Sequence, residues 1–450
     1  MIRLIRSTLL SIRDLALTAG PFALLGVALL AGAYHVLQPN PPRRVVLATG
    51  PEQSHFAAFG ERYAAELKKF GIEVVLRGTG GAADNMQLLS DPAEAVDLAF
   101  IRGGSGESVR AIDEADSGVP LVSLGSLFFE PVWLFYREQA SAWLPGATLT
   151  ALAQTKGWRM NTGAHGSGVH NLYRKLLDAN GLDLKALQDR RLTDTPAVIA
   201  FLAGELDAVV FVAAHESPMV QMLLRTPRVK LFEFPQAEAY ARRYPYLSPV
   251  SMPRGVIDIA ANLPPRDIPL LASTAMLAAR EGTHPALLQL FVQAAHRIHG
   301  GAGWFARAGQ FPSAQGGELH LAREAERFYR AGPPLLQRYL PFWLANLIDR
   351  MWVALVSIVA ILIPLSRIVP PLYVMRIRAR IYRWYRSLRE IEESLGRKSA
   401  SQSELLAALD RLEASAERIV VPLAYADELY RLRSHIELVR DRLRAQPTQE

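Results

Sequence analysis

The chain of 450 residues contains no cysteine. This absence excludes disulfide bonds, a thiolate nucleophile and a thiolate metal site. A folded domain in an oxidising compartment must then rely on its hydrophobic core, and a stretch of about three hundred residues can supply one. We therefore expect a large domain that is stabilised by packing rather than by covalent cross-links.

Charged residues are also missing from two apolar segments, Leu15–Leu37 and Met351–Leu365. Residues 366–389, which follow the second segment, contain seven arginines and no carboxylate, which equals the formal net charge of +7. Such an excess of basic residues accumulates on the cytoplasmic flank of a membrane span. The pattern predicts that both ends of the chain are cytoplasmic and that its middle lies outside the membrane. Because the arginines adjoin an apolar run, they indicate membrane lipid as a partner and no nucleic acid.

The two apolar segments differ in length and therefore in the roles that they are expected to have. Leu15–Leu37 exceeds the roughly 20 residues that a bilayer core requires. It is either an uncleaved anchor or a signal peptide, because Ala31 and Ala33 form an A-x-A-like cleavage site. Met351–Leu365 is shorter, and it spans a membrane only if the helix continues to about Pro371. We expect it to span, since aromatic residues lie at its margins and the arginines follow it.

Between the apolar segments, short branched apolar runs alternate with stretches of helical spacing. Val45–Ala48 and Ile72–Leu76 are predicted strands, and Ser54–Phe70 between them carries apolar residues at helical spacing. A strand, a helix and a strand in this order form a βαβ unit of a parallel sheet. A second series of the same kind begins after Pro131. The sequence therefore predicts two α/β lobes in succession.

Two glycine-rich turns, Gly78–Gly81 and Gly163–Gly168, each follow a predicted strand and open a predicted helix. Backbone N–H groups and the positive end of a helix dipole at such a turn can bind an anion. In parallel sheets, ligands bind at the carboxyl ends of the strands. If one turn comes from each lobe, the two can face one another across a cleft. The alternative is that glycine only permits a tight turn or close helix packing.

Other chemistries have little support in the residue patterns. The first glycine turn matches the G-x-G-x-x-A fingerprint of dinucleotide sites, but Asp97 begins a strand instead of ending one where a ribose would lie. We find neither a nucleophile elbow nor a convergent acid–base pair. His296 and His299 are three residues apart on a predicted helix, but they lack a third ligand and are interpreted as surface residues. We therefore predict a protein that is not an enzyme and uses no cofactor and no metal.

Six motifs follow one another in order: Leu47–Pro51, Gly78–Gly81 with Asn85 and Leu88, Val96–Phe100, Gly166–Gly168, Asn180–Leu182, and Leu202–Ala208. Together they resemble the solute-binding subunits of TAXI-type TRAP transporters, which are similar to NMT1-like periplasmic proteins. The resemblance covers about residues 44–310. It implies a two-lobed type II periplasmic-binding-protein fold that presents a small organic anion to a separate multi-span permease. The anion would be a dicarboxylate, an amino acid or a 2-oxo acid, and the protein would lie in a bacterial inner membrane with its large domain periplasmic.

A ligand site is expected where strand ends face the cleft. Usual members of the family have an uncharged polar residue at the position of Arg102, whose planar fork could hold a substrate carboxylate through two charge-assisted bonds. Its alternative is an exposed loop arginine. Trp133 is expected either to wall the pocket or to lie in the core. The remaining predicted ligand contacts, several of which are equally at home as helix caps or turn residues, are Thr49, Gly50, Ser54, Thr79, Gly80, Gly81, Asn85, Gly166, Ser167 and Gly168.

The predicted organisation adds membrane segments and a tail to this binding domain. Its parts are residues 1–40 as an N-terminal membrane anchor or signal segment, 44–130 and 236–310 as lobe I, 131–235 as lobe II, 311–342 as a connector, 343–371 as a transmembrane helix, and 372–450 as a cytoplasmic helical tail.

The tail has apolar residues at alternating steps of four and three, which form a heptad seam. These residues are Tyr425, Leu429, Leu432, Ile436, Val439 and Leu443, preceded by Leu405, Leu409, Leu412 and Ala416. The seam predicts either a coiled coil, with a possible homodimer through the tail, or an antiparallel helical hairpin that packs on itself. A helical element joined to a binding domain through the membrane also generates an alternative function, a membrane-bound ligand sensor or scaffold.

Overall fold

The computed structural model describes residues 2–38, 40–104, 119–315, 319–333, 335–397, 401–417 and 426–444. The chain divides into two compact units. One unit is Asn40–Asn346, and the other combines Met1–Pro39 with Leu347–Glu450. The heptad residue Tyr425 lies outside the described residues.

Ten strands occur within the described part of the unit Asn40–Asn346. They are β1 Arg44–Ala48, β2 Glu73–Arg77, β3 Leu98–Arg102, β4 Leu121–Arg137, β5 Arg159–Asn161, β6 Gln188–Arg190, β7 Ala208–Val212, β8 Val229–Leu231, β9 Leu247–Met252 and β10 Ile268–Arg280.

The α-helices of the described chain are numbered in the same way. They are α1 Ile2–Leu37, α2 His55–Lys68, α3 Ala82–Ser90, α4 Val169–Ala179, α5 Asp194–Leu202, α6 Pro218–Leu224, α7 Ala237–Arg243, α8 Pro285–His299, α9 Arg323–Ala331, α10 Phe342–Ser366, α11 Val369–Gly396, α12 Gln402–Glu417 and α13 Ala426–Arg444. Short 3₁₀ segments are Glu138–Ser141, Pro145–Ala147, Leu152–Thr155, Leu184–Ala186 and Leu335–Arg338.

The strands form one curled sheet in the order β2-β1-β3-β10-β4-β7-β5-β6, with β8 on β4 and β9 on β10. Strands β1, β2 and β3 run parallel, and so do β5, β6 and β7. Between these two parallel groups lie β10 and β4, which pair with each other in antiparallel fashion. The predicted mixed α/β fold with two parallel series is therefore confirmed.

Strand β4 is shared by the two parallel groups. Its partner is β10 up to Pro131 and β7 from Val132 onward. Strand β10 is shared too, because Leu270 packs in the core around β7 whereas Leu277 packs in the core around β1 and β3. We name these two cores, with the elements that pack on them, lobe II and lobe I respectively. Two strands that cross between the lobes form the kind of hinge on which lobes can close.

The lobe boundary differs from the prediction on its C-terminal side. Residues from 236 onward were expected in lobe I, but Ala237, Leu247 and Met252 are buried in the core of lobe II. The reason is that β9 pairs with the first half of β10, before β10 enters lobe I. The predicted connector also differs, since Phe328 on α9 packs into the core of lobe I. Neither feature has a local sequence signal, because both depend on distant pairing partners.

His299 is another departure from the sequence-based interpretation. It is buried, with its ring 4.7 Å from the ring of Phe59 and 5.2 Å from that of Phe128. Its Nε2 has no hydrogen-bond partner. Burial, together with the nearby charge of Arg62, lowers the pKa of His299 to about 3. His299 is therefore a neutral core residue and not a solvated one, while His296 is exposed as expected.

Two helical stretches are long and apolar enough to cross a membrane by length and composition, Thr18–Leu37 and Phe342–Arg376. Helix α10 has 25 residues, or about 37 Å at 1.5 Å per residue, so it exceeds the roughly 30 Å of a bilayer core. It ends at Ser366 and so does not continue to Pro371 as the prediction required. It begins nine residues before Met351, however, and these residues supply the missing length. The length of α10 is therefore sufficient for a second membrane span.

The helical tail packs on itself. Helices α11, α12 and α13 share one apolar cluster, whose buried members are Leu388, Leu405, Leu409, Leu412, Leu432, Ile436, Val439 and Leu443. Arg440 on α13 pairs with Asp410 on α12 at 2.9 Å and with Glu413. Of the two predicted arrangements, the structure has the hairpin that packs on itself. The apolar side chains of the heptad seam are buried against helices of the same chain, so they do not support a homodimer through these residues.

Candidate functional site

A cavity of about 310 Å³ lies between lobe I and lobe II. Volumes of this size hold small organic molecules. Its lining includes Ser54, His55, Gly80, Gly81 and Arg102 from lobe I, and Ser167, Thr193, Asp194, Thr195 and Val212 from lobe II. Five residues predicted from the sequence, namely Ser54, Gly80, Gly81, Arg102 and Ser167, are therefore brought to one cavity.

The two glycine-rich turns meet directly beside this cavity. A Cβ on Gly81 would lie 2.9 Å from the Cα of Ser167, and one on Gly80 would lie 2.9 Å from the carbonyl oxygen of His165. A Cβ on Gly166, which has φ +77°, would overlap the carboxylate of Asp84. Glycine is required here because the backbones of the two lobes touch.

The first glycine turn does not cradle an anion. Gly80 N donates to Asp84 Oδ2 at 3.0 Å, and Gly81 N donates to Thr79 Oγ1 at 3.1 Å. The backbone N–H groups of Ala83 and Asp84 donate across the cleft to the carbonyl of Gly166, at 3.0 and 3.2 Å. These donors were expected to bind a ligand, but those of Gly80 and Gly81 bond within lobe I and those of Ala83 and Asp84 join the lobes. The expectation of an anion site at this turn is corrected accordingly.

Arg102, at the end of β3, is buried and bridges the lobes. Its Nε donates to Glu130 Oε2 at 2.9 Å and its Nη2 to Glu130 Oε1 at 3.2 Å. From lobe I it also reaches two carbonyls of lobe II, that of Ser167 at 3.0 Å and that of Val212 at 2.8 Å. The predicted fork does hold a carboxylate, but the carboxylate is that of Glu130 and not that of a substrate. Burial excludes the alternative of an exposed loop arginine.

Glu130 is the centre of this network and is completely buried on β4. Its Oε1 accepts a hydrogen bond from His55 Nε2 at 2.6 Å. Burial alone would raise the pKa of Glu130, but the charge of Arg102 and the hydrogen bonds from His55 and Arg102 lower it to about 2. The carboxylate is therefore ionised at neutral pH and acts only as an acceptor, so His55 Nε2 carries the hydrogen.

Thr49, Thr79 and Asn85 lie behind the cavity and hold its loops in place. Asn85 is completely buried; its Nδ2 donates to the carbonyl of Thr49 and, at 2.7 Å, to that of Phe100. Thr79 Oγ1 lies 2.6 Å from Asn85 Oδ1, and Thr49 Oγ1 donates to the carbonyl of Arg77. These side chains connect β1, β3 and the first glycine turn, so they do not line the cavity as predicted.

Ser54 caps helix α2, because its Oγ accepts a hydrogen bond from Ala57 N at 3.2 Å. A Cβ on Gly50 would lie 2.7 Å from that Oγ, which explains the glycine at this position. Gly168 has φ +75° and precedes α4, and a Cβ there would lie 3.7 Å from Arg102 Nη1. The sequence-based alternative of a helix cap holds for Ser54, and that of a tight turn holds for Gly168.

Trp133 is a core residue of lobe II. It is fully buried, and its Nε1 donates to the carbonyl of Ala213 at 2.9 Å. Its ring packs on Phe135 and Phe305. The predicted pocket wall is therefore wrong and the core alternative is right, because β4 directs this side chain into lobe II.

The sequence analysis missed Glu130 and Asp194 as parts of the site. Glu130 had a signal, since it is the one carboxylate in the mostly apolar strand Leu121–Arg137. A charged residue in a largely buried strand requires a partner, and that reasoning would have paired it with Arg102. Asp194 had no comparable signal, because an acidic residue in the first turn of a helix is common.

No group of three or more metal-ligating side chains occurs among the residues that the structure describes. Asp189, Thr162 and His170 do meet beside the second glycine turn, where Thr162 Oγ1 lies 2.6 Å from Asp189 and 2.9 Å from His170 Nδ1. Arg191 also contacts His170. His170 therefore has a hydrogen-bonding role beside the second glycine turn.

Several solved structures resemble this chain at low sequence identity. A protein from Bordetella bronchiseptica RB50 has a TM-score of 0.40 at 15% identity, over 57% of this chain and 70% of its own. The periplasmic aliphatic sulphonate binding protein SsuA from Escherichia coli has a TM-score of 0.35 at 16% identity, over 71% and 83%. The alkanesulfonate-binding protein SsuA from Xanthomonas axonopodis pv. citri, bound to MOPS, has a TM-score of 0.34 at 14% identity, over 70% and 94%. These scores are too low to define the fold by themselves.

No curated protein sequence matches the chain. A sequence model of the NMT1-like family, in contrast, matches residues 47–297. This match includes both glycine-rich turns, both hinge strands and the Arg102–Glu130–His55 network. Because it covers more than half of the 450 residues, the chain belongs to the NMT1-like family.

Proposed function

We propose that the protein is a membrane-anchored, extracytoplasmic solute-binding protein that captures a small organic solute between its lobes. The observation that carries this proposal is the cavity of about 310 Å³ to which both lobes contribute polar groups. Strands β4 and β10 cross between the lobes, as a hinge requires. Binding proteins such as the E. coli sulphonate-binding protein SsuA are similar to this chain. We further propose that the partner is a separate multi-span permease of the TRAP type.

Ligand capture would work by closure of the lobes. Arg102 and the N–H groups of Ala83 and Asp84 bond to carbonyls of the opposite lobe, so these bonds are made only when the lobes are together. A solute that contacts both walls of the cavity favours that arrangement over an open one. In this account Ser54, Gly80, Gly81 and Ser167 lie at the ligand, whereas Thr49, Gly50, Thr79, Asn85, Trp133, Gly166 and Gly168 support the closed form.

Helices α1 and α10 are proposed as the membrane anchors. Gly26 of α1 approaches α10 so closely that a Cβ there would lie 3.2 Å from Leu362, and small residues allow such packing between spanning helices. The arginines that follow α10 favour a cytoplasmic tail and a periplasmic binding unit. The site would then face the periplasm of a bacterial inner membrane.

A second candidate function is ligand sensing. The observation in its favour is that α10 is followed, after two residues, by α11, which belongs to the three-helix bundle. A sensor must change this bundle when a ligand binds, whereas an anchor need not. Limited proteolysis of the tail with and without a stabilising ligand separates the two, because only a sensor shows a ligand-dependent cleavage pattern.

The proposed function is tested by thermal unfolding of the full chain in detergent against amino acids, dicarboxylates, 2-oxo acids and primary amines at millimolar concentration. A solute at about 100 times its dissociation constant adds about 2.7 kcal/mol to the free energy of unfolding. We expect one chemical class to raise the unfolding midpoint. If every class leaves the midpoint unchanged, the protein is not a receptor for small organic solutes of these kinds.

A further inference from the structure

The charges around the cavity do not match an anionic solute. The side chains of Arg102, His55, Glu52 and Asp194 line it. The charge of Arg102 is already compensated, because Glu130 accepts from two of its nitrogens at 2.9 and 3.2 Å. His55 donates to the same carboxylate. The cation that was expected to receive a substrate anion is thus neutralised within the protein.

Two carboxylates of the lining remain without such compensation. Among the described residues, the side chains of Glu52 and Asp194 form no ion pair and accept no hydrogen bond. Asp194 opens helix α5 on the lobe II wall, and it is accessible from the cavity. The surrounding protein partly desolvates its carboxylate, which raises the pKa of Asp194, although the charges of His55 and Arg102 act to lower it. A carboxylate in this position is stabilised by a cationic partner.

We propose that the solute carries a protonated amino group and that Asp194 is its anchor on the lobe II wall. This inference rests on the proposed solute-binding function and selects amines and amino acids from the broader ligand classes. A dicarboxylate or a 2-oxo acid would bring negative charge to Glu52 and Asp194, and like charges at close range repel. A charge-assisted bond between ammonium and carboxylate is, in contrast, among the stronger polar contacts.

An amino acid also has a carboxylate, for which the cavity offers a different position. Helix α2 of lobe I begins at the lining, with Ser54 as its N-cap residue. The N-terminal end of a helix carries partial positive charge from its first N–H groups. A zwitterion can therefore place its ammonium at Asp194 and its carboxylate near a helix N-terminus, but the ammonium is the group that this inference requires.

The test uses two triads of compounds that differ only in their charged groups. One triad is leucine, 4-methylpentanoate and 3-methylbutylamine; the other is glutamate, glutarate and 4-aminobutanoate. Dissociation constants are measured by calorimetry on the full chain in detergent, for the wild type and for Asp194→Asn. The matched control is Asp178→Asn, an exposed aspartate on helix α4 of the same lobe.

We expect that compounds with an amino group bind and that those without it do not. Asp194→Asn should then weaken binding by at least about tenfold, as expected for loss of a hydrogen bond to a charged group, while Asp178→Asn has no effect. The unfolding midpoint of each variant without ligand shows whether it folds, and Asp194→Ser, which also lacks the carboxylate, replaces Asp194→Asn if that variant does not.

Three outcomes overturn the inference. Binding of an acid that lacks the amino group, with equal affinity for wild type and Asp194→Asn, refutes the ligand class but leaves the solute-binding function intact. Binding of an amine that is insensitive to Asp194→Asn refutes the anchor. The absence of binding by all compounds here and in the broader panel refutes the proposed function, and this inference with it.

Discussion

Replacing Glu130 by alanine is expected to lower the free energy of unfolding of the two-lobed unit by about 3–5 kcal/mol. The reason is that the buried charge of Arg102 would lose its partner, because the Glu130 carboxylate accepts hydrogen bonds from Arg102 Nε and Nη2. His55 would lose the same acceptor. Urea denaturation of the full chain in detergent, followed by tryptophan fluorescence, measures the change.

Glu138→Ala is the matched control for this result. Glu138 follows the same strand β4, but it is exposed and its partner Lys230 lies 3.4 Å away at the surface. Exposed ion pairs contribute up to about 1 kcal/mol, so this variant should lose little stability. If Glu130→Ala is as mild as Glu138→Ala, the buried network does not hold the lobes together.

The stabilising effect of Glu130 should also depend on pH. Its pKa falls from 4.5 in the unfolded chain to about 2 in the folded one. A carboxylate whose folded pKa is depressed stabilises the protein fully above its unfolded pKa, and that stabilisation is lost as the pH falls through its folded pKa. The stability difference between wild type and Glu130→Ala should therefore shrink between about pH 4.5 and pH 2.

Gly166→Ala is expected to weaken solute binding at least about tenfold, or about 1.4 kcal/mol. The added Cβ would overlap the Asp84 carboxylate of the opposite lobe. That overlap is relieved when the lobes separate, so the substitution lowers the population of the closed form. The apparent dissociation constant rises by the same factor as the closed fraction falls. Calorimetric titration with a solute that stabilises the wild type measures the effect.

Backbone strain must be separated from this contact between lobes. Gly181→Ala provides the comparison, because Gly181 also lies in lobe II and has φ +70°, but a Cβ there meets no atom within 4 Å. Both substitutions force alanine into a left-handed conformation and should reduce stability to a similar degree. Equal affinities of Gly166→Ala and Gly181→Ala for the solute would show that closure does not depend on the glycine contact.

The parts of this fold that could be predicted from the sequence are those with local periodicity. The βαβ series near Val45 and the second series after Pro131 alternate on a scale of a few residues, and β4 changes partner at that proline. The glycine turns were expected to face each other if one came from each lobe, and they touch. Their role was not predictable, because it depends on the Gly166 carbonyl reaching Ala83 from the other lobe.

The Arg102 network illustrates why the site itself was only partly predictable. Arg102 and its carboxylate partner Glu130 are 28 residues apart, His55 is a further 75 from Glu130, and the carbonyl of Val212 is 110 from Arg102. A sequence shows that a buried arginine needs an acceptor, but it does not show whether protein or ligand provides it. The packing of the tail was equally hard to predict, since a heptad seam indicates which residues are buried but does not identify the helix that they contact.

The central claim, that a small solute closes the two lobes, is tested most directly by the distance between them. The absence of native cysteine allows one spin label in each lobe, at Glu61→Cys on α2 and Lys185→Cys, both exposed positions. Pulsed electron paramagnetic resonance then measures the distance in the full chain with and without each compound of the panel. We predict a shorter, narrower distribution with the solute that raises the unfolding midpoint, and no such shift in Gly166→Ala. A solute that binds without changing the distance, or a panel in which no compound changes it, would contradict the account.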